Sequence, residues 1–151
     1  MEKTIAHFRK LLLFSGLFNI VMASPLIFPS VVAWYFKLLW SVNNIFSLGG
    51  TMPIPPEDGV SLLLINTAGI DLVLIGSIVI YASLDPVNRI GIPLLNAVGR
   101  TLFAGIIVYY CISYDIMRLI LVIGIIDVLI SIGFVYYAVK LKSILPHRKE
   151  L

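Results

Sequence analysis

The sequence has little charge and almost no cysteine. Of its 151 residues, 13% are Asp, Glu, Lys or Arg, and one is cysteine. A soluble domain is typically about 25% charged, so a water-soluble fold is a poor fit. With Cys111 alone, an internal disulfide is excluded, and so is any metal or redox motif built from paired cysteines.

Recognisable catalytic motifs are also missing from the sequence. It contains no His-Glu-x-x-His motif, no phosphate-binding loop and no nucleophile elbow, and only two histidines. We therefore expect no metal and no cofactor. The net charge is +3, but the basic residues cluster near the ends of apolar runs, which is typical of membrane orientation rather than of nucleic-acid binding. Nucleic acid is accordingly not an expected partner.

Apolar residues dominate what remains. They make up 60% of the chain, and the mean hydropathy is +1.03. Four runs are long enough to cross about 30 Å of hydrocarbon as helices. They lie at approximately 10–28, 59–84, 92–113 and 117–141. Because the last three are joined by short links, they should be antiparallel neighbours. The sequence therefore predicts an all-α, four-helix transmembrane bundle as a single domain, 1–151, in contact with the lipid bilayer.

The long link between the first two runs divides into two parts. The first, SVVAWYFKLLWSVNNIF, is short and carries Lys37 near its middle, and Trp34, Tyr35 and Trp40 suit the headgroup level. We expect an interfacial helix at approximately 30–46, with a fifth span as the alternative. The second part, 49–58, is rich in proline and should form a solvent-facing external loop.

The distribution of Lys and Arg predicts the orientation. With four spans, eight of these residues share the side of the termini, whereas Lys37 and Arg118 lie on the other side. The positive-inside rule then places both termini in the cytoplasm, as expected for a bacterial inner-membrane protein. The basic tail LKSILPHRKEL should attract anionic lipid.

Each predicted span carries a polar residue near its middle. Arg100 interrupts LLNAVGRTLFAG, and Asn19, Asp71 and Asp127 lie at similar depths in the other spans. Asn96 is four residues before Arg100 and shares its helical face. A lone charge at the bilayer centre costs roughly 2.5–3.5 kcal/mol, so Arg100 should face Asp71, Asp127 or both. One arginine cannot neutralise two carboxylates, so with both present one Asp is protonated or water reaches the cluster.

Several functions fit this midplane cluster. The first hypothesis is a non-catalytic membrane protein, in which the cluster packs helices or binds a lipid, a small anion or a protein partner. The second is a proton-coupled transporter or channel, with Asp71 or Asp127 as carrier. Since four helices enclose little volume, it would require a homo-oligomer. The third is a membrane enzyme acting on lipid or quinone, although no nucleophile–base pair is evident.

Two short segments resemble a known group of proteins. PLIFP follows the first span, and LDPVNRIGIPLLNAVGR leads into the third. Together they are similar to small, DoxX-like, bacterial four-helix membrane proteins in three features. These are a proline-ended first span, an Asp-Pro-x-x-Arg turn, and a glycine followed by a basic residue inside the third span. The matching positions are Pro25 and Pro29, then Asp85, Pro86 and Arg89, then Gly99 and Arg100. The resemblance covers about half of the chain, implies a four-helix bundle and carries over no activity.

Overall fold

The computed structural model describes residues 2–144, apart from the side chain of residue 144, and forms no strand over that range. The helices are α1 Glu2–Ala23, α2 Pro29–Ile45, α3 Gly59–Leu84, α4 Gly91–Tyr114 and α5 Leu119–Ile144. A 3-10 turn, Ser24–Ile27, continues α1.

Four of the five helices are long and apolar enough to cross a membrane: α1 with its 3-10 turn, α3, α4 and α5. The prediction of an all-α protein with four such helices is therefore confirmed. The first helix starts at Glu2 rather than near Lys10, because the polar segment before Lys10 also favours helix. The remaining helix, α2, has 17 residues and a length of about 25 Å, which is short for a span.

Local side-chain chemistry marks the helix ends. Asp58 caps α3, because its Oδ1 accepts a hydrogen bond from the Ser61 amide at 2.8 Å. That bond lowers the pKa of the Asp58 carboxyl below its ordinary value. Pro25 lies in the first turn after α1, where its missing amide hydrogen favours a change from α-helix to a tighter turn. Asp85 ends α3 and accepts two hydrogen bonds from Asn88, which turn the chain towards α4.

Glycines allow α1 and α3 to approach closely. α1 packs along α3, α4 packs along α5, and α1 also contacts α5, whereas α3 and α4 touch over little of their length. A Cβ placed on Gly76 would lie 2.7 Å from the carbonyl oxygen of Gly16. Such backbone approach between small residues is typical of membrane helix pairs. Nearer the N-terminus of α1, Phe8 packs edge to face on Phe134 and stacks on Tyr137 in the buried core.

A buried asparagine ties α2 to the rest of the bundle. Asn43 is fully buried, donates to the Gly49 carbonyl at 3.1 Å and accepts from the Leu119 amide at 2.9 Å. The Thr51 amide donates to the Asp115 carbonyl at 2.8 Å. The first residues of the loop 49–58 are therefore docked on the turn between α4 and α5, while Gly49 and Thr51 stay exposed. That docking satisfies backbone groups that the loop could not pair internally.

The glycine contact leads to a first prediction. Gly76→Ala should destabilise the protein by about 1–3 kcal/mol, because the atom nearest to the added methyl group is the backbone carbonyl oxygen of Gly16, which cannot move aside as a side chain can. Thermal unfolding in detergent measures the loss. Gly105→Ala is the matched control, since a Cβ at Gly105 meets nothing within 4 Å. Equal melting temperatures for the two variants would contradict the close approach of α1 and α3.

Candidate functional site

Arg100 lies at the centre of the polar residues inside the bundle. Its side chain, 5% exposed, is nearly enclosed. Nε donates to Asn96 Oδ1 at 2.9 Å, and Nη1 donates to Asp127 Oδ1, with which it forms an ion pair. Nη2 donates to Ser15 Oγ at 2.9 Å and to Asn19 Oδ1 at 2.6 Å. One guanidinium therefore joins α1, α4 and α5.

A serine one turn after Asp127 links the backbone of α5 to that of α4. Asp127 is 4% exposed, and the Ser131 hydroxyl one turn later donates to the Asp127 carbonyl at 2.8 Å and approaches the Ala97 carbonyl at 3.2 Å. The four-residue spacings of Asn96 with Arg100 and of Asp127 with Ser131 put each pair on one helical face. Helical periodicity therefore places Arg100 and Asp127, and each is the charged partner of the other.

The structure brings together four of the five residues that the sequence singled out. Asn19, Asn96, Arg100 and Asp127 form one hydrogen-bonded cluster, termed here the arginine cluster together with Ser15. Asp71 does not belong to it, because its side chain is exposed on the outer face of α3. Of the two carboxylates considered for Arg100, Asp127 is the partner and Asp71 is not.

The position of Asp71 follows from how α3 packs. Gly76 is the α3 residue that lies against Gly16 and the Cβ of Asn19. Asp71 is five residues away along α3, which is about 7 Å along the helix and about 140° around it. Because Gly76 faces α1, Asp71 is turned away from α1 and is exposed. Counting residues along each span gives neither this rotation nor the offset along the helix.

An apolar cavity of about 370 Å³ adjoins the arginine cluster. Asn19, Asn96, Arg100 and Asp127 all line it, at one polar wall. The other walls come from α1 to α5 and are apolar or aromatic, and they include Phe18, Met22, Tyr35, Phe36, Leu39 and Phe103. Small-molecule sites are typically clefts of about 300–1,000 Å³ with apolar walls and a few polar groups, and this cavity has both properties.

The hydrogen bonds of Arg100 orient two amide groups towards this space. Arginine only donates, so Asn19 and Asn96 must both turn their Oδ1 atoms to it. Their Nδ2 groups have no acceptor among residues 2–144. Over the same range no buried side-chain nitrogen or oxygen lacks a partner, so these Nδ2 groups reach open space. Asp127 Oδ2 likewise has no donor among residues 2–144 and reaches open space. The lining of the cavity therefore includes two N–H₂ donors and one carboxylate oxygen.

Helix α2 covers one side of the cavity. Its Tyr35 is 7% exposed and donates its hydroxyl to the Met22 carbonyl at 2.8 Å. Burial raises the pKa of the Tyr35 phenol above its ordinary value, which keeps it a neutral donor. Sequence reasoning placed Tyr35 at the lipid headgroups and missed this wall. The spacing of Val32, Tyr35, Leu39 and Asn43 on one helical face was the available signal.

Other sequence-based hypotheses concern sites elsewhere. Within the described part of the chain, no group of three or more His, Cys, Asp or Glu side chains is arranged to hold a metal ion. The proposed lipid-attracting tail lies mostly at 145–151, outside the described residues.

The ion pair generates a second prediction. Arg100→Leu should destabilise the protein by about 3 kcal/mol, because Asp127 and two asparagine oxygens lose their donor inside the bundle. The double variant Arg100→Leu, Asp127→Leu should recover most of this loss, since no lone charge is left. Thermal unfolding of both variants in detergent gives the comparison.

Asp71→Leu is the matched control for that experiment. Asp71 takes part in none of the hydrogen bonds of Arg100, so Asp71→Leu should shift the melting temperature equally in the wild-type and the Arg100→Leu backgrounds. If Asp71→Leu rescued Arg100→Leu as well as Asp127→Leu does, the assigned pairing would be wrong.

Comparisons with protein-family models, with curated proteins and with solved structures find no match for this chain.

Proposed function

We propose that this small integral membrane protein binds an amphipathic molecule, with the molecule's polar end at the arginine cluster and its apolar part in the adjoining cavity. The observation that carries the proposal is the pair of amide donors on Asn19 and Asn96, which line an otherwise apolar space of about 370 Å³. A role without catalysis is the simplest function consistent with this arrangement.

A purely architectural role for the cluster explains less. Polar groups that only join helices are normally enclosed, because each unmade hydrogen bond inside a membrane is costly. Here Arg100 joins three helices, yet two of its partners keep free donors beside a cavity. Packing accounts for Arg100, Ser15 and Asp127, and a bound molecule accounts for the remaining donors.

The cavity also has a route to the lipid. Gly99 and Phe103 of α4 and Ile75 of α3 line it and are exposed at the outer surface of the bundle. α3 and α4 touch over little of their length, and the cavity lining includes residues of both. A membrane-dissolved molecule would therefore enter sideways between these two helices without crossing water.

The transporter hypothesis finds less support in this geometry. Asp127 is held by Arg100, and Asp71 lies apart on the outer face of α3, so the two carboxylates do not form a relay. A membrane enzyme acting on lipid or quinone stays a prediction with no observation in its favour. Kinship with DoxX-like proteins likewise rests on the short motifs alone.

Gly99 provides a direct test of binding. A Cβ at Gly99 meets nothing within 4 Å, so Gly99→Leu should fold normally while its side chain fills the cavity. Mass spectrometry of small molecules extracted from the purified protein should find an amphiphile in the wild type. In Gly99→Leu its occupancy should fall by about tenfold or more, corresponding to at least about 1.4 kcal/mol of binding free energy.

Gly105→Leu is the matched control on the same helix. A Cβ at Gly105 also meets nothing within 4 Å, but Gly105 does not line the cavity. This variant should therefore retain as much bound amphiphile as the wild type. The same amphiphile at equal occupancy in all three proteins, or none in the wild type, would contradict the proposed function.

We further propose that both termini lie in the cytoplasm, that the membrane is a bacterial inner membrane, and that α2 lies at its outer interface. The asymmetry of Lys and Arg supports the orientation. The contacts of α2 with Met22 at the end of α1 and Leu119 at the start of α5 support its placement at one end of the bundle. A homo-oligomer is not required by a cavity within one chain.

Reporter fusions test this orientation. Fusions ending in the α3–α4 turn at Asp85 should report the cytoplasm, and those ending in the α4–α5 turn at Asp115 should report the opposite side. A cytoplasmic signal at Asp115 would overturn the proposed topology.

A further inference from the structure

We infer that the molecule bound beside Arg100 is uncharged and presents a carbonyl or ester oxygen to the amide groups of Asn19 and Asn96. This inference rests on the proposed function and adds the chemical class of the ligand.

The charges at the cavity wall already cancel. Arg100 and Asp127 both line the cavity and form an ion pair, and no other described lining residue is charged. An anionic head would lie against the Asp127 carboxylate, and a cationic head would lie against the Arg100 guanidinium. In an apolar membrane interior either would add an uncompensated charge, which is costly. An uncharged head avoids that cost.

The hydrogen-bonding direction disfavours a second set of ligands. Five acceptors take up donors of Arg100: Asn96 Oδ1, Asp127 Oδ1, the Ser15 carbonyl, Ser15 Oγ and Asn19 Oδ1. The groups left facing the cavity from the two asparagines are Nδ2 donors. A ligand that only donates, such as an ammonium, could bond Asp127 Oδ2 but would leave both Nδ2 groups unpaired, whereas a carbonyl or ester oxygen accepts from them.

Both donors are held in place before any ligand arrives. Each asparagine is fixed by its Oδ1 bond to the same guanidinium, at 2.9 Å for Asn96 and 2.6 Å for Asn19. Because that guanidinium is anchored by Asp127 and Ser15, neither amide needs to reorient on binding. Arg100 therefore acts on the ligand as a positioning residue, through the two amides.

The experiment compares probes that share a chain and differ in the head: methyl decanoate, decanoate, decylammonium and decane. Protein labelled with ¹⁵N-asparagine in detergent has six asparagine side-chain signals. Methyl decanoate should shift two of them in a saturable way, those lost in Asn19→Ser and Asn96→Ser. Asn66 serves as an internal control, since its Nδ2 already donates to the Leu26 carbonyl at 2.7 Å. Decane should shift neither signal.

The other probes and variants distinguish a wrong ligand class from a wrong proposed function. Decanoate and decylammonium should bind at least about tenfold more weakly than the ester. Asn96→Ala removes the amide donors without adding a charge or a hydroxyl, so it should weaken ester binding by about five- to tenfold, as expected for one lost hydrogen bond. Gly99→Leu should abolish the shifts, and Gly105→Leu should not.

If decanoate or decylammonium bound more tightly than the ester and Gly99→Leu blocked that binding, the ligand class would be wrong. The cavity site would then still be supported. Full ester affinity in Asn96→Ala would also overturn the ligand class. Binding of no probe, or binding that Gly99→Leu does not affect, would overturn the proposed function itself.

Discussion

The burial of one guanidinium in a membrane interior constrains the rest of this structure. Arg100 cannot lose its charge, and lipid offers it no hydrogen bonds, so the protein must supply them all. It does so from three helices: Ser15 and Asn19 on α1, Asn96 on α4 and Asp127 on α5. Because these bonds require particular distances, they restrict both the rotation and the depth of each helix.

This constraint also accounts for the chemical character of the cavity. An arginine surrounded by carboxylates alone would leave a charged wall, whereas a single carboxylate and two amides leave a neutral one. The amide oxygens are taken by the guanidinium, so the amide nitrogens remain for a ligand. The same bonds that stabilise the arginine thus leave a neutral site with two donors, next to walls supplied largely by aromatic and aliphatic side chains.

Much of the architecture could be predicted from the amino-acid order. The four long helices follow from apolar runs, and the pairing of Arg100 with Asn96 follows from their spacing within one helix. Asp127 was one of two carboxylates that the cost of a lone charge pointed to. Asp71 was the other, and its expected place beside Arg100 was wrong, because counting residues along a span does not give the rotation of the helix. The glycine contact sets that rotation, since Gly76 faces Asn19 and Asp71, about 140° around α3, is exposed.

The sequence by itself determined the helical content, the membrane-type composition and the presence of an intramembrane arginine that needed a partner. These depend on hydropathy, on helical period and on the cost of a lone charge, all of which act within one segment. Only the tertiary structure decided which carboxylate pairs with Arg100, where α2 packs, and that a cavity remains at the cluster. Each of these depends on how closely two helix backbones approach, and that distance is set jointly by residues far apart in the chain, such as Gly16 and Gly76.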